Sequence, residues 1–211
     1  MRTLEVPVYS FDELSDAVKA RVLSRLCETT ELDHDCIYED AADLGALLGF
    51  DLRQRRVTLR DGGYRYAPAV FFSGFWSQGD GACFESSYRY APGAQAAITA
   101  ECNDEALAAL AARLQALQKP HFYKLRADTA HRGHYYHEYC MDIDMSCECT
   151  RCQGYGPGAD VEEEFKEICA DFARWIYRRL EAEYEYQTSD ETLRELIEIN
   201  EWEFYEDGEI V

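Results

Sequence analysis

One long segment with a helical repeat constrains the fold more than any other part of the sequence. Between residues 160 and 187, apolar side chains recur at every third or fourth position: Val161, Phe165, Ile168, Phe172, Ile176, Leu180 and Tyr184. This period predicts one amphipathic α-helix, roughly 40 Å long at 1.5 Å per residue, with a single buried stripe. We expect it to be the spine of the fold. A shorter helix should follow, because Thr188 and Glu191 have the spacing of a capping box.

The rest of the chain mixes helical and alternating segments without a regular strand–helix repeat. Further helices are predicted at 14–26, 37–48 and 103–120. Strands are predicted at 3–11, on both sides of the 61–63 turn, at 82–90, and in a hairpin of 121–128 with 134–148. This order predicts an α+β fold in which an antiparallel sheet packs against helices. We expect 1–211 to form a single domain, with a sub-boundary at the Gly/Pro-rich linker 154–160.

The stretch FFSGFWSQGDGACF at 71–84 has aromatic arms around a polar, glycine-rich centre. Gly79 and Gly81 tolerate a positive φ, and Asp80 between them can hydrogen-bond to nearby backbone groups, so the centre is typical of a hairpin tip. A binding surface that presents Trp76 and Asp80 is the second interpretation, and a catalytic loop is the third. The spacing is not that of a nucleophile elbow, and no lysine follows the glycines as in a phosphate-binding loop.

Three cysteines close together in the sequence are a candidate zinc site, although free loop thiols are the favoured interpretation and no resident cofactor is expected. Cys147, Cys149 and Cys152 have the short spacing typical of zinc ligands. A fourth ligand is needed, and Cys140, Cys169 or a histidine are the candidates. Two alternatives stay open at this point, because closely spaced cysteines also occur as free thiols in a loop and as redox-active pairs.

The residues just before these cysteines hold further polar candidates. His134 and His137 would point to opposite faces of the predicted strand, which argues against a shared metal ion. Asp142 and Asp144 would share one face, about 6.6 Å apart at ~3.3 Å per residue. Two carboxylates at that separation suit acid–base work or a bound cation, so a metal-dependent hydrolase is one alternative function. A solvated strand face gives the same pattern.

The charge of the chain is strongly negative and unevenly distributed. The formal net charge is −20, and residues 138–211 hold 22 acids and 6 bases, a net of −16. This balance disfavours direct contact with nucleic acid or an anionic membrane, and it favours a partner protein with a basic surface. No apolar run approaches the ~20 residues of a membrane span, and no secretory signal is recognised. A cytoplasmic setting is expected, where cysteines are usually free thiols or metal ligands.

Three strings of residues carry a resemblance to a known group of proteins. FSGFWSQGDGA at 72–82, WIYRRLEAEYEYQTSDE at 175–191 and FDELS at 11–15 resemble a family of uncharacterised proteins of bacteriophages and prophages. The resemblance implies a phage origin and a bacterial cytosolic setting. It implies no catalytic residue, and the cysteine-rich stretch 147–152 is not part of the shared pattern.

Together these features favour binding over catalysis. We expect a phage-encoded acidic accessory protein that modulates or inhibits a host protein, such as a nucleic-acid-binding defence factor, in the manner of anti-CRISPR or anti-restriction proteins, or a toxin. The expected interface residues are Trp76, Asp80, Tyr184, Tyr186 and Trp202, because aromatic side chains supply much of the binding energy at interfaces. A small zinc-binding structural or regulatory protein, built on the three clustered cysteines, is the first alternative. The metal-dependent hydrolase is the second.

Overall fold

The computed structural model describes residues 6–30, 32–150, 152 and 156–211. These residues form two compact units, and the boundary between them falls within the longest helix. Unit 1 comprises Met1–Asp33 and Glu181–Val211, and unit 2 comprises His34–Leu180. The described part of the predicted linker, 156–160, lies inside unit 2. The single domain therefore stays a prediction. Among the described residues, no helix is both long and apolar enough to cross a bilayer.

Helices and antiparallel strands make up the chain, which confirms the α+β class. The helices are α1 (Asp16–Thr29), α2 (Asp35–Leu48), α3 (Ala94–Glu101), α4 (Glu105–Gln118), α5 (Ala159–Gln187) and α6 (Asp190–Ile199), with 3-10 turns at Phe11–Glu13 and Lys119–His121. The strands are β1 (Phe50–Leu52), β2 (Gln54–Thr58), β3 (Tyr64–Pro68), β4 (Val70–Ser73), β5 (Gly81–Phe84), β6 (Ser86–Arg89), β7 (Leu125–His131) and β8 (Met141–Cys147).

The main sheet of unit 2 is antiparallel and has the strand order β1-β6-β7-β8. Its longest pair is β7 with β8, where Leu125 lies opposite Cys147 and His131 lies opposite Met141. Side chains alternate between the two faces of such a pair. Leu125, Ala127 and Met145 are accordingly buried on the core face together with Cys147. The register therefore places the last residue of β8 in the interior.

Two separate hairpins lie between β1 and β6 in the sequence. Strands β2 and β3 pair around the 61–63 turn, and β4 pairs with β5 around the glycine-rich centre of 71–84. Asp80 Oδ2 accepts hydrogen bonds from the backbone N–H of Trp76 at 2.9 Å and of Ser77 at 2.6 Å. Gly79 has a φ of +96°. The glycine-rich centre is thus a hairpin tip, as its turn residues predict.

Helix α5 has the predicted length and is buried on more of its circumference than one stripe. The buried side chains outside the predicted stripe are those of Cys169, Ala170, Ala173 and Trp175. Phe172 stacks on Phe50 with ring centroids 5.4 Å apart. A Cβ added at Gly45 of α2 would lie 3.2 Å from Phe172 Cζ, so the glycine permits close packing. Small residues on α5 and α2 let this helix serve as the centre of the unit 2 core.

Unit 1 has a smaller core of its own. Its buried side chains are Phe11, Leu14, Val18, Val22, Leu23, Leu26, Leu193, Ile197 and Phe204. Tyr9 and Phe204 exchange backbone hydrogen bonds of 2.8 and 2.9 Å. Gly208 has a φ of +87°, and an added Cβ there would lie 2.9 Å from Val18 and Val22. The end of the chain therefore packs against α1, at a position where only glycine fits.

Several strand boundaries differ from the prediction. In the described part of 3–11, Tyr9 forms only an isolated bridge. Strand β8 begins at Met141, because 134–140 forms a loop that starts at Gly133, whose φ is +108°. Backbone hydrogen bonds within this loop close it, with Arg132 N–H donating to Cys140 O at 2.9 Å. A loop explains the paired tyrosines there as well as a strand does.

The helices also differ in two details. Helix α3 was not predicted, because its sequence AQAAITAE has a weak apolar repeat in which only Ile98 is buried. The cap of α6 is Ser189 and not the predicted Thr188. Its Oγ accepts a hydrogen bond from Thr192 N–H at 3.2 Å. Both residues are good caps, so the choice depends on where the preceding helix ends.

Candidate metal centre

Four metal-ligating side chains converge at one point in unit 2. They belong to His121, Cys147, Cys149 and Cys152, and their ligand atoms all lie within 4.8 Å of one another. The sulfur atoms of Cys149 and Cys152 are 3.4 Å apart. His121 Nδ1 lies 3.3 Å from Cys152 Sγ and 3.8 Å from Cys147 Sγ. We refer to these four residues as the Cys/His cluster.

His121 reaches the cluster because helix α4 ends just before it. Pro120 has no backbone N–H, so the α-helix cannot continue through it, and the chain forms a 3-10 turn at Lys119–His121. Phe122 and Tyr123 then adopt positive φ values of 54° and 59°. These two residues reverse the chain direction, so that His121 is buried beside the start of β7.

A buried glutamine holds this turn in place. Gln118 is fully buried, and its side chain accepts a hydrogen bond from Leu125 N–H at 3.0 Å. The same amide donates to Leu125 O at 2.9 Å and to the Tyr88 hydroxyl at 3.3 Å. Because Leu125 is paired with Cys147 across the sheet, the glutamine links the turn of His121 to the strand end that carries Cys147.

The three cysteines reach the cluster from the end of β8 and the loop after it. Cys147 points inward because of strand alternation. Glu148 N–H donates to Lys124 O at 3.3 Å, which extends the pairing by one residue. The chain then turns, and Cys149 and Cys152 lie on the same side as Cys147. The spacing of two and three residues lets one short loop supply three thiols.

The distances fit a tetrahedral zinc site. With Zn–S bonds of about 2.3 Å and a Zn–N bond of about 2.0 Å, a tetrahedron has S–S edges of about 3.8 Å and S–N edges of about 3.5 Å. The three distances given above, 3.3 to 3.8 Å, lie close to these values, and every other pair of ligand atoms lies within 4.8 Å. Three thiols and one imidazole form a soft donor set that favours zinc over calcium or magnesium.

The thiols of the cluster interact strongly with one another. Burial raises the pKa of Cys149, but hydrogen bonds with Cys147, Cys152 and His121 outweigh it and lower this pKa to about 6. Burial and hydrogen bonds to Cys147 and Cys149 raise the pKa of Cys152 to about 12. One thiolate is thus stabilised by its neighbours, and a second negative charge beside it is unfavourable. A divalent cation would remove that repulsion.

The cluster has a route to the surface. The described residues leave a cavity of about 770 Å³ whose lining includes His121 and Cys152. Arg113 lines the same cavity and donates to Glu164 at 2.8 Å and to Asp171 at 2.6 Å. An ion can therefore reach the candidate ligands from solvent through this cavity. The charged side chains of Arg113 and Glu164, which line it, are already paired with each other.

The structure brings together the three cysteines named from the sequence and adds His121 as the fourth member of the cluster. Cys140 and Cys169, the other candidates, lie outside the cluster within the part of the chain described. The sequence allowed a histidine as the fourth ligand but did not single out His121, which precedes Cys147 by 26 residues. Two features could have identified His121 as a candidate ligand. It follows a proline at the end of a helix, and the next strand pairs with the strand that carries Cys147.

Asp142 and Asp144, the candidate residues of a metal-dependent hydrolase, do not form a common group with His134 or His137 among the described residues. Asp142 Oδ2 accepts from Arg132 at 2.8 Å, and both side chains are exposed. Asp144 lies opposite Asp128 in the β7–β8 pair. Neither aspartate belongs to the one group of three or more candidate ligands found among the described residues.

The predicted interface residues are split between the units. Trp76 and Asp80 lie in unit 2, where Trp76 is 80% exposed and Asp80 stabilises the hairpin tip. Tyr184, Tyr186 and Trp202 lie in unit 1. Tyr186 is 62% exposed, and Trp202 packs against the core of its unit. These positions leave the interface a prediction.

The acidic residues also differ between the two ends of the C-terminal third. On α5, Arg174 donates to Asp171 at 2.7 Å and to Glu138 at 3.0 Å, so part of the negative charge is neutralised within unit 2. Residues 190–209 hold nine acids and one base, a net of −8. All nine acids are exposed, and we call 190–209 the acidic segment. Half of the net charge of −16 in 138–211 therefore lies in these 20 residues, of which Glu209 is paired with Arg25.

Fold and cluster together define the class: an α+β protein with a candidate Cys₃His metal centre. The family model of a domain of unknown function, DUF8835, matches residues 34–190. Because the match covers more than half of the chain, the protein belongs to this family. The matched part includes all of unit 2 and the whole Cys/His cluster. No curated protein and no solved structure matches the chain significantly.

Proposed function

We propose that the protein binds one zinc ion at the Cys/His cluster and that the ion has a structural role. The observation that carries this proposal is the convergence within 4.8 Å of four ligand atoms, from three cysteines and from a histidine that precedes them by 26 to 31 positions. Exposed carboxylates often cluster without a metal ion, whereas three thiols and an imidazole that converge are typical of a metal site. The chemistry of the donor set therefore supports a resident ion.

The number of ligands supports a structural role over a catalytic one. Catalytic zinc sites have three protein ligands and keep one position open for water, whereas structural sites have four. With His121 and the three cysteines, all four positions are filled by protein. The ion would cross-link the end of α4 to the end of β8, since these elements carry the ligands.

Metal analysis and cobalt substitution test this proposal. Protein purified without chelator should contain close to one zinc per chain. Cobalt(II) in its place should show the visible bands of a tetrahedral site and thiolate-to-cobalt charge transfer. His121→Ala and Cys149→Ser should lose both signals, whereas Cys140→Ser should keep them. A cobalt spectrum without thiolate bands, or an equal loss in all three variants, would show that the cluster is a group of free or redox-active thiols.

A second candidate function is supported by the acidic segment. We propose that this segment binds a partner protein with a basic surface. On the basis of the sequence resemblance, we propose a phage accessory protein in the cytoplasm of its bacterial host that modulates a host defence factor or toxin. Nine exposed acids in one stretch of unit 1 support the docking face. The partner would be recognised through charge, so the association should weaken as salt screens it.

Capture from bacterial lysate at low and high salt tests the second proposal. The bait is the full chain, and the matched bait carries Glu195→Gln and Glu198→Gln. A protein retained by the wild type at low salt, released at high salt and reduced by the double variant supports a charged docking face. A captured protein whose retention is the same at low and high salt and on both baits would exclude the acidic segment as its binding site.

A further inference from the structure

The β2–β3 hairpin is a basic surface on an otherwise acidic protein. Residues 53–66 contain five arginines and one aspartate, a net of +4, in a chain whose net charge is −20. Two tyrosines, Tyr64 and Tyr66, alternate with Arg65 in the same hairpin. Arginine and tyrosine interleaved in this way supply both positive charge and flat aromatic rings.

One face of the hairpin anchors it to unit 2. Arg55 lies over the rings of Tyr38 and Phe71, at 5.7 and 5.1 Å from their centroids. Arg65 donates to Asp35 at 2.5 Å. These contacts use the inward residues of both strands, so the hairpin is held in a fixed orientation.

The opposite face presents its side chains to solvent. Arg56 lies opposite Tyr66, and Thr58 lies opposite Tyr64. The Arg56 guanidinium is 4.2 Å from the centroid of the Tyr64 ring, and the two tyrosine rings are 5.8 Å apart. Tyr64 is 54% exposed and Tyr66 is 64% exposed. We call Arg56, Tyr64 and Tyr66 the Arg/Tyr face.

We propose that the Arg/Tyr face binds single-stranded nucleic acid. Proteins that bind single strands combine a positive surface for phosphates with aromatic rings on which bases stack. Tyr64 and Tyr66 offer the rings, and Arg56, which is exposed beside them, offers the positive charge. Base stacking needs no particular sequence, because every base has an aromatic face. The expected ligand is therefore a flexible single strand of DNA or RNA, bound without strong sequence preference.

The net charge of the protein does not oppose a contact of this size. At physiological ionic strength the Debye length is about 8 Å, so charges farther away are largely screened. Arg53 and Arg65 are paired with Asp128 and Asp35, so a strand on the Arg/Tyr face responds mainly to a local charge of +2, which is +4 less these two aspartates. The expectation that nucleic acid is disfavoured follows from the whole-chain charge, and the hairpin is a local exception to it.

An acidic peptide would use the same arginines and leave the tyrosines without a role. The two exposed rings, one of them already stacked by a guanidinium, favour planar ligands over carboxylates. This difference separates the two classes of partner by experiment. The proposal depends on neither the metal centre nor the acidic segment.

Fluorescence anisotropy of the full chain with labelled oligothymidylate and oligouridylate tests the proposal. We expect saturable binding that weakens as salt increases. Replacing both tyrosines, Tyr64→Ala with Tyr66→Ala, should weaken binding by about tenfold or more, since stacking supplies a large part of the affinity. Arg56→Gln should weaken binding and reduce its salt dependence. Tyr135→Ala removes an equally exposed tyrosine from the 134–140 loop and should leave the affinity unchanged.

Three results would overturn the proposal. One is the absence of binding to either strand at low salt. Another is equal binding of a duplex of the same sequence, whose bases are not free to stack. The third is displacement by polyglutamate together with full binding by the tyrosine double variant, which would assign the face to acidic peptides. Thermal unfolding of each variant checks that the hairpin change leaves the fold intact.

Discussion

The Cys/His cluster of unit 2 and the acidic segment of unit 1 are built in opposite ways. The cluster is assembled in the interior from a helix end, a strand end and a loop, and its histidine lies 26 residues or more before its cysteines. The acidic segment is a continuous stretch near the end of the chain, in which all the acidic side chains are exposed. The first depends on the fold for its geometry, whereas the second depends mainly on local composition. Changes in the two regions should therefore affect stability and binding differently.

The largest expected effect is the loss of zinc from the cluster. A ligand that binds only the folded state at a thousand times its Kd adds about 4 kcal/mol to the free energy of unfolding. Cys147→Ser should abolish zinc binding, and the free energy of unfolding should fall by about this amount. Thermal unfolding with and without chelator measures it: chelator should lower the Tm of the wild type and leave the variant unchanged. Cys102→Ser, an exposed thiol outside the cluster, is the control.

The next effect concerns the glutamine behind the cluster. Gln118→Ala removes the partners of the buried N–H and C=O of Leu125, which should cost about 1–3 kcal/mol. It should also weaken zinc binding, because the turn that carries His121 loses its support. Denaturant unfolding and zinc competition titration measure the two effects. Gln115→Ala makes the same change at an exposed position of α4 and should affect neither.

A smaller effect is expected from acidification. The affinity for zinc should fall about tenfold per pH unit for each proton that is released on binding. Zinc binds thiolates, so protons leave the cysteines when the ion binds. With the pKa of Cys152 raised to about 12 and that of Cys149 lowered to about 6, at least one proton leaves at pH 8 and at least two leave below about pH 6. Zinc affinity should therefore fall as pH falls, and more steeply below pH 6. Competition with a chromogenic chelator across this range tests the sign and the slope.

The smallest effect on stability is expected in the acidic segment. Glu195→Gln with Glu198→Gln should change the free energy of unfolding by less than about 0.5 kcal/mol, because both side chains are exposed. The same double variant should reduce salt-dependent capture of a basic partner. A large loss of stability would show that these carboxylates have structural roles, and the contrast between the two regions would then fail.

The parts of the fold that local signals determine were predictable from the sequence. The repeat of α5, the Pro120 stop of α4, the C-cap at Gly49 and the two hairpin turns all follow from residues within a few positions. Helix α3 was missed because its short sequence has little apolar repeat. Boundaries at 134–140 were wrong because aromatic residues occur in loops as well as in strands.

The candidate site was only partly predictable, for a related reason. Cys147 ends β8, and Cys149 and Cys152 follow in the next loop, so their short spacing made them a candidate metal site. His121 joins them because β7 pairs with β8 and places the end of α4 beside the end of β8. The hairpin of these strands was predicted, but the turn that buries His121 depends on tertiary contacts of Gln118, which no local pattern specifies. The residues of the Arg/Tyr face, in contrast, are close together in the sequence. They were not predicted as a nucleic-acid site because the net charge of the whole chain is −20.

Native mass spectrometry of the purified full chain is the most direct test of the central claim, that His121 and the three cysteines hold one zinc ion. The wild type should have the mass of the chain plus one zinc, less the protons displaced from the thiols. His121→Ala should have the mass of the chain alone. A wild-type protein without bound metal after purification in zinc-containing buffer, or a His121→Ala variant that retains zinc as fully as the wild type, would contradict the account.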